Sequence, residues 1–232
     1  MSEVKEEILL LSENELKVLL AAKGVQDVYI RSKEGEALDE QELCYIINEL
    51  VQNQFIEGTQ ERFFVKDPLD TLLLHIKNAQ WIFILRKPGT TDGTLFLYQD
   101  LEEYTALFAP DKEMAKYRIC SFDRDKLLST LSQGAAHKAA YVPVLDEEKS
   151  YQGIVESQKP VREELLMRFR NIPFLLEVVE AAGGNLTERL LLRNTEKDTI
   201  FVRKKGRNVI SNLLRDVDVT KQITDLMGEY AK

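Results

Sequence analysis

Residues 81–98 read Trp81-Ile82-Phe83-Ile84-Leu85-Arg86, then Lys87-Pro88-Gly89-Thr90-Thr91-Asp92-Gly93, then Thr94-Leu95-Phe96-Leu97-Tyr98. The first run has five apolar residues in succession and therefore no polar face. A strand of that kind must be covered on both sides, which puts it centrally in a sheet. The cluster from Pro88 to Gly93 is built from small, polar and turn-forming residues, so it predicts a hairpin that returns the chain into a second apolar strand. Two further strands are expected near 103–109 and 116–122, followed by a short helix capped by Asp123. Strands joined in sequence by short turns form a meander, and a meander is antiparallel.

Downstream, a long helical pattern starts near Pro160 and must kink or break at Pro173, since proline lacks the backbone donor and clashes with the preceding turn. Phe174, Leu175, Val178 and Val179 extend that apolar face until Gly183-Gly184 ends it. Strands are expected at Leu190–Leu192, Thr199–Arg203 and Asn208–Leu214, then a last helix from Asp218 through Ile223, Leu226 and Met227. The basic run Arg203-Lys204-Lys205-Gly206-Arg207 reads as a solvated hairpin turn. A gap-free shift of 95 residues places Leu95 on Leu190, Leu97 on Leu192, Leu107 on Val202 and Ile119 on Leu214. It also places Asp123 on Asp218, Leu128 on Ile223 and Leu131 on Leu226. This is either an internal duplication or the chance agreement of two meander-plus-helix segments. The shift fails upstream, where Trp81–Leu85 meets the helix expected around Leu176.

Upstream, two helices carry complete start signals. Ser12 with Glu15, and Asp39 with Glu42, have capping-box spacing, and Leu11 with Leu16 and Leu38 with Leu43 occupy the staple positions. Gly24 supplies a left-handed stop to the first helix. A short strand is expected at Val28–Ile30. Leu43, Ile46, Ile47 and Leu50 form a core-facing stripe on the second helix, so Ile47 is expected in the core. Phe55-Ile56-Glu57-Gly58 and the strand Arg62–Val65 then follow in the order of a winged helix-turn-helix and its wing. Asp67-Pro68 opens a third helix with proline at its first position, and Leu69, Leu72, Leu73 and Ile76 make its buried side. The fold class is α+β: an antiparallel sheet with flanking helices, a candidate pseudo-twofold repeat and a winged-helix-like N-terminal segment. Residues 1–132 would hold that segment with the first meander and helix. Residues 133–232 would hold the long helical segment, second meander and C-terminal helix, either as a second domain or as part of one continuous domain.

With 232 residues, 44% hydrophobic and 30% charged, the chain can bury a full core without covalent staples. Cys44 and Cys120 each lie in an apolar run, where cysteine behaves as a small hydrophobe, and a reducing compartment fits. The acidic N-terminus and the short apolar run Ile8–Leu11 do not make a signal peptide, and no stretch approaches a membrane span. A cytoplasmic protein is expected. The formal charge of −8 argues against nucleic acid, which requires an excess of Lys and Arg. Only two histidines occur. His75 lies among Leu73, Leu74 and Ile76, and His137 has no Cys, Asp or Glu at ligand spacing, so no metal is expected. Nucleophile-elbow and phosphate-loop patterns are absent. The reading is of a non-enzyme without cofactors.

The layout of elements resembles the EspG family, the secretion-associated chaperones of the type VII (ESX) pathway. The resemblance is carried by Leu11-Ser12-Glu13-Asn14-Glu15-Leu16, by Ile46-Ile47-Asn48-Glu49-Leu50-Val51 leading to Phe55-Ile56, and by the paired meander-plus-helix ends at 94–131 and 189–226. It implies a pseudo-twofold α+β fold that holds an aggregation-prone helical secretion substrate in the cytosol. It also implies contact through a hairpin of the central sheet, here Lys87–Gly93, and through C-terminal helices, here Asp218–Tyr230. On that basis Lys87, Pro88, Thr90, Thr91, Asp92, Ile223, Leu226 and Met227 are the candidate partner-binding residues. Two other readings stand beside the protein-binding module. One is a winged-helix transcriptional regulator or sensor, whose groove-reading helix at 39–53 would carry Asp39, Glu40, Glu42 and Glu49 with no Lys or Arg. The other is an enzyme without a recognisable motif.

Overall fold

The apolar strand Trp81–Arg86 lies fifth of nine in one antiparallel sheet, with Ile82, Phe83 and Ile84 buried on its two faces. The computed structural model describes residues 8–25, 38–59, 62–86, 94–101, 103–110, 114–122, 174–194, 199–206, 208–214 and 216–230. In chain order the elements are β1 (Leu9–Leu11), α1 (Glu13–Ala22), α2 (Glu40–Gln52), β2 (Ile56–Thr59), β3 (Arg62–Val65) and α3 (Leu69–Asn78). The first meander follows as β4 (Trp81–Arg86), β5 (Leu95–Asp100), β6 (Glu103–Phe108) and β7 (Tyr117–Phe122). The second is β8 (Phe174–Glu180), β9 (Leu186–Asn194), β10 (Thr199–Lys205) and β11 (Asn208–Leu214), closed by α4 (Asp216–Tyr230).

The large sheet runs β1-β7-β6-β5-β4-β8-β9-β10-β11, and β2 and β3 form a separate two-stranded sheet. Every pairing is antiparallel. The protein is therefore α+β. The expected helix at Phe174–Val179 is instead the strand β8, paired with β4 from Trp81↔Glu180 to Arg86↔Leu175. Apolar residues at 174, 175, 178 and 179 satisfy a helical period, but a strand buried on both faces needs no alternation and reads the same way. Leu175, Leu176, Val178 and Val179 are all buried, which is the two-sided burial that only the strand provides.

This correction removes the obstacle to the repeat. β4 and β8 are the matching first strands of two meanders, joined antiparallel at the centre, with three strands following outward on either side. The 95-residue equivalence holds where Leu97 pairs with Ala106 and Leu192 pairs with Phe201. It slips at the fourth strand. Leu107 pairs with Ile119, whereas Val202 pairs with Ser211, so Ser211 rather than Leu214 answers to Ile119. The shorter turn into β11 absorbs the difference.

Two cores lie on the two faces. One face carries α1–α3 over Ile82, Ile84, Phe96, Tyr98, Leu107 and Ile119, while the other carries α4 over Phe83, Leu97, Tyr104, Leu176, Val178 and Leu190. Both capping boxes form as read: Ser12 N–H donates to Glu15 (2.6 Å) and Glu15 N–H to Ser12 Oγ (3.2 Å), with the Asp39/Glu42 pair at 3.1 and 2.8 Å. Glu15 is buried because its other oxygen accepts from Asn53 at the end of α2, tying the start of one helix to the end of the next. Leu9–Leu11, read only as a short apolar run, becomes the edge strand β1 by pairing with β7. Gly58, at φ 138°, sits where a Cβ would stand 2.2 Å from the Arg62 carbonyl, so only glycine permits the tight β2–β3 pairing.

Three smaller expectations shift. Pro68 occupies the cap position, one residue ahead of α3. On α2, Ile46 and Leu50 are buried, but Ile47 is half-buried and Leu43 is 38% exposed, because α1 and β2 cover only one side of the stripe. Cys44 is exposed, whereas Cys120 is buried. The strand expected at Val28–Ile30, the helices expected at Asp123 and from Pro160, and the divide near 132–140 lie outside the described residues.

Candidate partner-binding site

The last helix is shaped by an i, i+3, i+4, i+7 stripe of Ile223, Leu226, Met227 and Tyr230. The structure turns this stripe inward. Ile223, Leu226 and Met227 are 1% exposed or less, packed in the core with Phe83, Leu97, Leu176 and Val178. Three of the residues expected to bind a partner are thus core residues, since side chains of that kind at helical spacing serve packing first. Each such burial is worth about 1.5–3 kcal/mol. What α4 offers to solvent is the opposite side, with Lys221, Asp225 and Glu229 exposed.

The end of α4 is fastened by aromatic and ionic contacts. Tyr230 meets Trp81 edge-on, with ring centroids 4.7 Å apart, and stands 6.2 Å from the Phe83 ring. Its hydroxyl donates to Glu188 Oε2 at 2.6 Å, and Arg203 Nε donates to Glu188 Oε1. Arg203 Nη2 also reaches Glu229 (2.7 Å), which Lys205 Nζ meets at 3.2 Å. Burial, then the bond to Glu188, raises the Tyr230 phenol above its ordinary range. Hydrogen bonding to Arg203 holds the Glu229 carboxyl below its ordinary range. The basic run expected to be a solvated turn does form the β10–β11 hairpin, with Gly206 at φ 58°. Arg203 and Lys205, however, are engaged by carboxylates rather than left to solvent.

A second cluster fixes the point where β4 enters the expected hairpin. Arg86 Nη2 lies 2.7 Å from Glu177 Oε2, and Arg189 holds Glu177 Oε1 through Nε (2.9 Å) and Nη2 (2.5 Å). Glu177 is buried, and burial followed by repulsion from Arg86 lowers the Arg189 guanidinium from its ordinary value. Val178 pairs with Glu188 and Glu177 with Arg189. The two carboxylates therefore project to opposite faces of the sheet, each matched to arginine. Sequence reasoning missed both clusters. The only available signal was Glu188-Arg189 alternating inside an apolar strand. Lys87, Pro88, Thr90, Thr91 and Asp92 lie outside the described residues.

Other chemistry is limited among the described residues. No group of three or more His, Cys, Asp or Glu side chains is placed to hold a metal ion, and no helix is long and apolar enough to cross a membrane. His75 Nε2 meets Glu103 at 2.9 Å and joins α3 to β6. A groove of about 400 Å³ opens between α1, α2 and β3, lined by Lys17, Val18, Ala21, Leu43, Ile47 and Phe63 among others. Its walls are apolar and carry no catalytic group.

No family model and no curated protein matches the sequence. Solved structures do match the fold. The type VII secretion system chaperone EspG5 of Mycobacterium tuberculosis, solved in complex with the PE25–PPE41 dimer, aligns over 92% of this chain and 93% of its own. The TM-score is 0.51 at 10% sequence identity, so this chain is similar to that chaperone in fold along nearly its whole length.

Proposed function

We propose that the chain is a non-enzymatic, cytoplasmic protein-binding module, a chaperone or adaptor that holds a helical type VII secretion substrate. The observation that carries this reading is the match in fold along 92% of this chain and 93% of a chaperone bound to a protein dimer. The apolar lining of the groove between α1, α2 and β3 agrees with a protein-binding role. Its binding surface would combine the hairpin Lys87–Gly93, entered from the Arg86–Glu177 anchor, with the exposed side of α4. A hairpin tip of small and polar residues can vary without disturbing the sheet, as binding loops do.

Affinity purification of the tagged full chain from its native cells, followed by mass spectrometry, tests the reading. A small helical secreted protein, or a pair of them, recovered in near-stoichiometric amount supports it. Recovery of nucleic acid, or of no stoichiometric protein in repeated purifications, overturns it.

A further inference from the structure

The fastening of α4 to the sheet divides into two halves, and the sheet's half is complete by itself. Lys205 on β10 is the register partner of Glu188 on β9, and Arg203 stands two residues along the same face. Arg203 Nε donates to Glu188 Oε1, and Lys205 Nζ lies 3.8 Å from Oε2. The Glu188 side chain has no solvent exposure, yet its two cations come from the neighbouring strand and not from the helix. One carboxylate with two cations leaves a single positive charge in excess. The helix brings the complement. Glu229 stands 2.7 Å from Arg203 Nη2 and 3.2 Å from Lys205 Nζ, and the Tyr230 hydroxyl donates to Glu188 Oε2 at 2.6 Å. Lys205 Nζ also lies over the Tyr230 ring, 5.3 Å from its centroid.

This end of α4 is a poor helix on its own account. Its last residues are Met227-Gly228-Glu229-Tyr230, with no Lys, Arg or His in the last turn. Glycine is among the weakest helix formers, and a carboxylate at the C-terminal end opposes the helix dipole. Arg203 and Lys205 supply from β10 the positive charge that the helix lacks. We propose that Leu226–Tyr230 is an ionic latch, a helix end that opens by itself while the sheet stays intact. Opening strands no buried charge, because Glu188 keeps Arg203 when Tyr230 leaves. It removes the Tyr230 ring from Trp81 and Phe83, so an aromatic floor is uncovered on this face of β4. The device is independent of the proposed function, since it needs no partner to operate.

Amide hydrogen exchange on the purified full chain, without any partner, tests the latch. The amides of Leu226–Tyr230 are compared with those of Ile82–Ile84 on the central strand, which exchange only when the sheet opens. The helix end should exchange about tenfold faster or more, as a local opening does. Raising the salt from about 0.01 M to about 0.5 M should speed it about threefold further and leave Ile82–Ile84 unchanged, because salt screens the half-exposed Glu229 contacts. Glu229→Gln, which keeps the shape but removes the charge, should exchange fast at low salt and lose the salt response. The signs separate a latch from ordinary fraying. In a frayed end Glu229 opposes only the helix dipole, so salt and Glu229→Gln would both slow exchange or leave it unchanged. Either of those results overturns the proposal, as does a salt response that persists in Glu229→Gln. Equal protection of the helix end and Ile82–Ile84 also overturns it, because α4 then leaves only with the whole fold.

Discussion

The Tyr230 hydroxyl, in the last turn of α4, donates a 2.6 Å hydrogen bond to Glu188, whose side chain on β9 has no solvent exposure. Glu188 also accepts from Arg203, which in turn binds Glu229 two residues after Met227. The C-terminal helix is thus held at its end by a buried carboxylate rather than by apolar packing alone.

Tyr230→Phe keeps the contacts with Trp81 and Phe83 but removes a donor from a buried carboxylate. It should destabilise the protein by about 1–3 kcal/mol in chemical denaturation. Tyr230→Ala also empties the space beside both rings and should cost about 3–5 kcal/mol. Equal losses in the two variants would mean that the hydroxyl contributes nothing.

Glu177→Ala leaves Arg86 and Arg189 facing each other with no carboxylate between them. Removing one member of such a buried set costs about 3–5 kcal/mol. Glu177→Gln, which keeps the acceptor but not the charge, should fall between that variant and wild type. A melting temperature insensitive to both changes would show that solvent already compensates the two arginines.

Stability should fall in alkali. Burial raises the phenol pKa of Tyr98, Tyr117 and Tyr230 above the ordinary value of 10.0, Tyr117 to about 12. The folded state therefore keeps phenol protons that the unfolded chain releases. The stabilisation is complete below pH 10 and is lost as pH rises through the folded values. Denaturation midpoints measured across this range, with tyrosinate absorbance followed in parallel, should decline together. Full phenol titration near pH 10 in a still-folded protein would contradict the burial of these rings.

Burial on α2 ranks its substitutions. Ile46→Asp and Leu50→Asp place a charge in the core and should unfold the N-terminal region, a loss of several kcal/mol. Ile47 is only half-buried beside the groove, so Ile47→Asp should be milder. Thermal melts of the three variants check the order, which a strictly regular core stripe would not produce.

Replacing Thr90, Thr91 and Asp92 together with alanine should weaken capture of the native partner by at least tenfold, about 1.4 kcal/mol, with melting temperature nearly unchanged. A pull-down as strong as wild type from the folded variant would remove the hairpin from the binding surface.

Local chemistry was legible wherever neighbouring residues settle it among themselves. Ser12 with Glu15 and Asp39 with Glu42 announce their helices because a capping box is satisfied within four residues. Trp81–Leu85 announces a central strand because a run with no polar side can rest only between two covered faces. What needed distant partners was not legible. Phe174–Glu180 carries a pattern that suits either a helix or a doubly buried strand, and pairing with β4, some 90 residues away, decides for the strand. Leu9–Leu11 is a strand only because β7 lies beside it. Ile223, Leu226 and Met227 show a stripe that could face a partner or a core, and the apolar face of β4, β8 and β9 claims it. The charges of Glu177 and Glu188 look like surface charges until the sheet brings Arg86, Arg189 and Arg203 to them. The sequence by itself determined the class of fold and most of its elements, through capping and hydrophobic period. Tertiary structure alone decided which apolar surfaces are core and which charges are paired, because burial and ion pairing depend on residues brought together only by the assembled sheet.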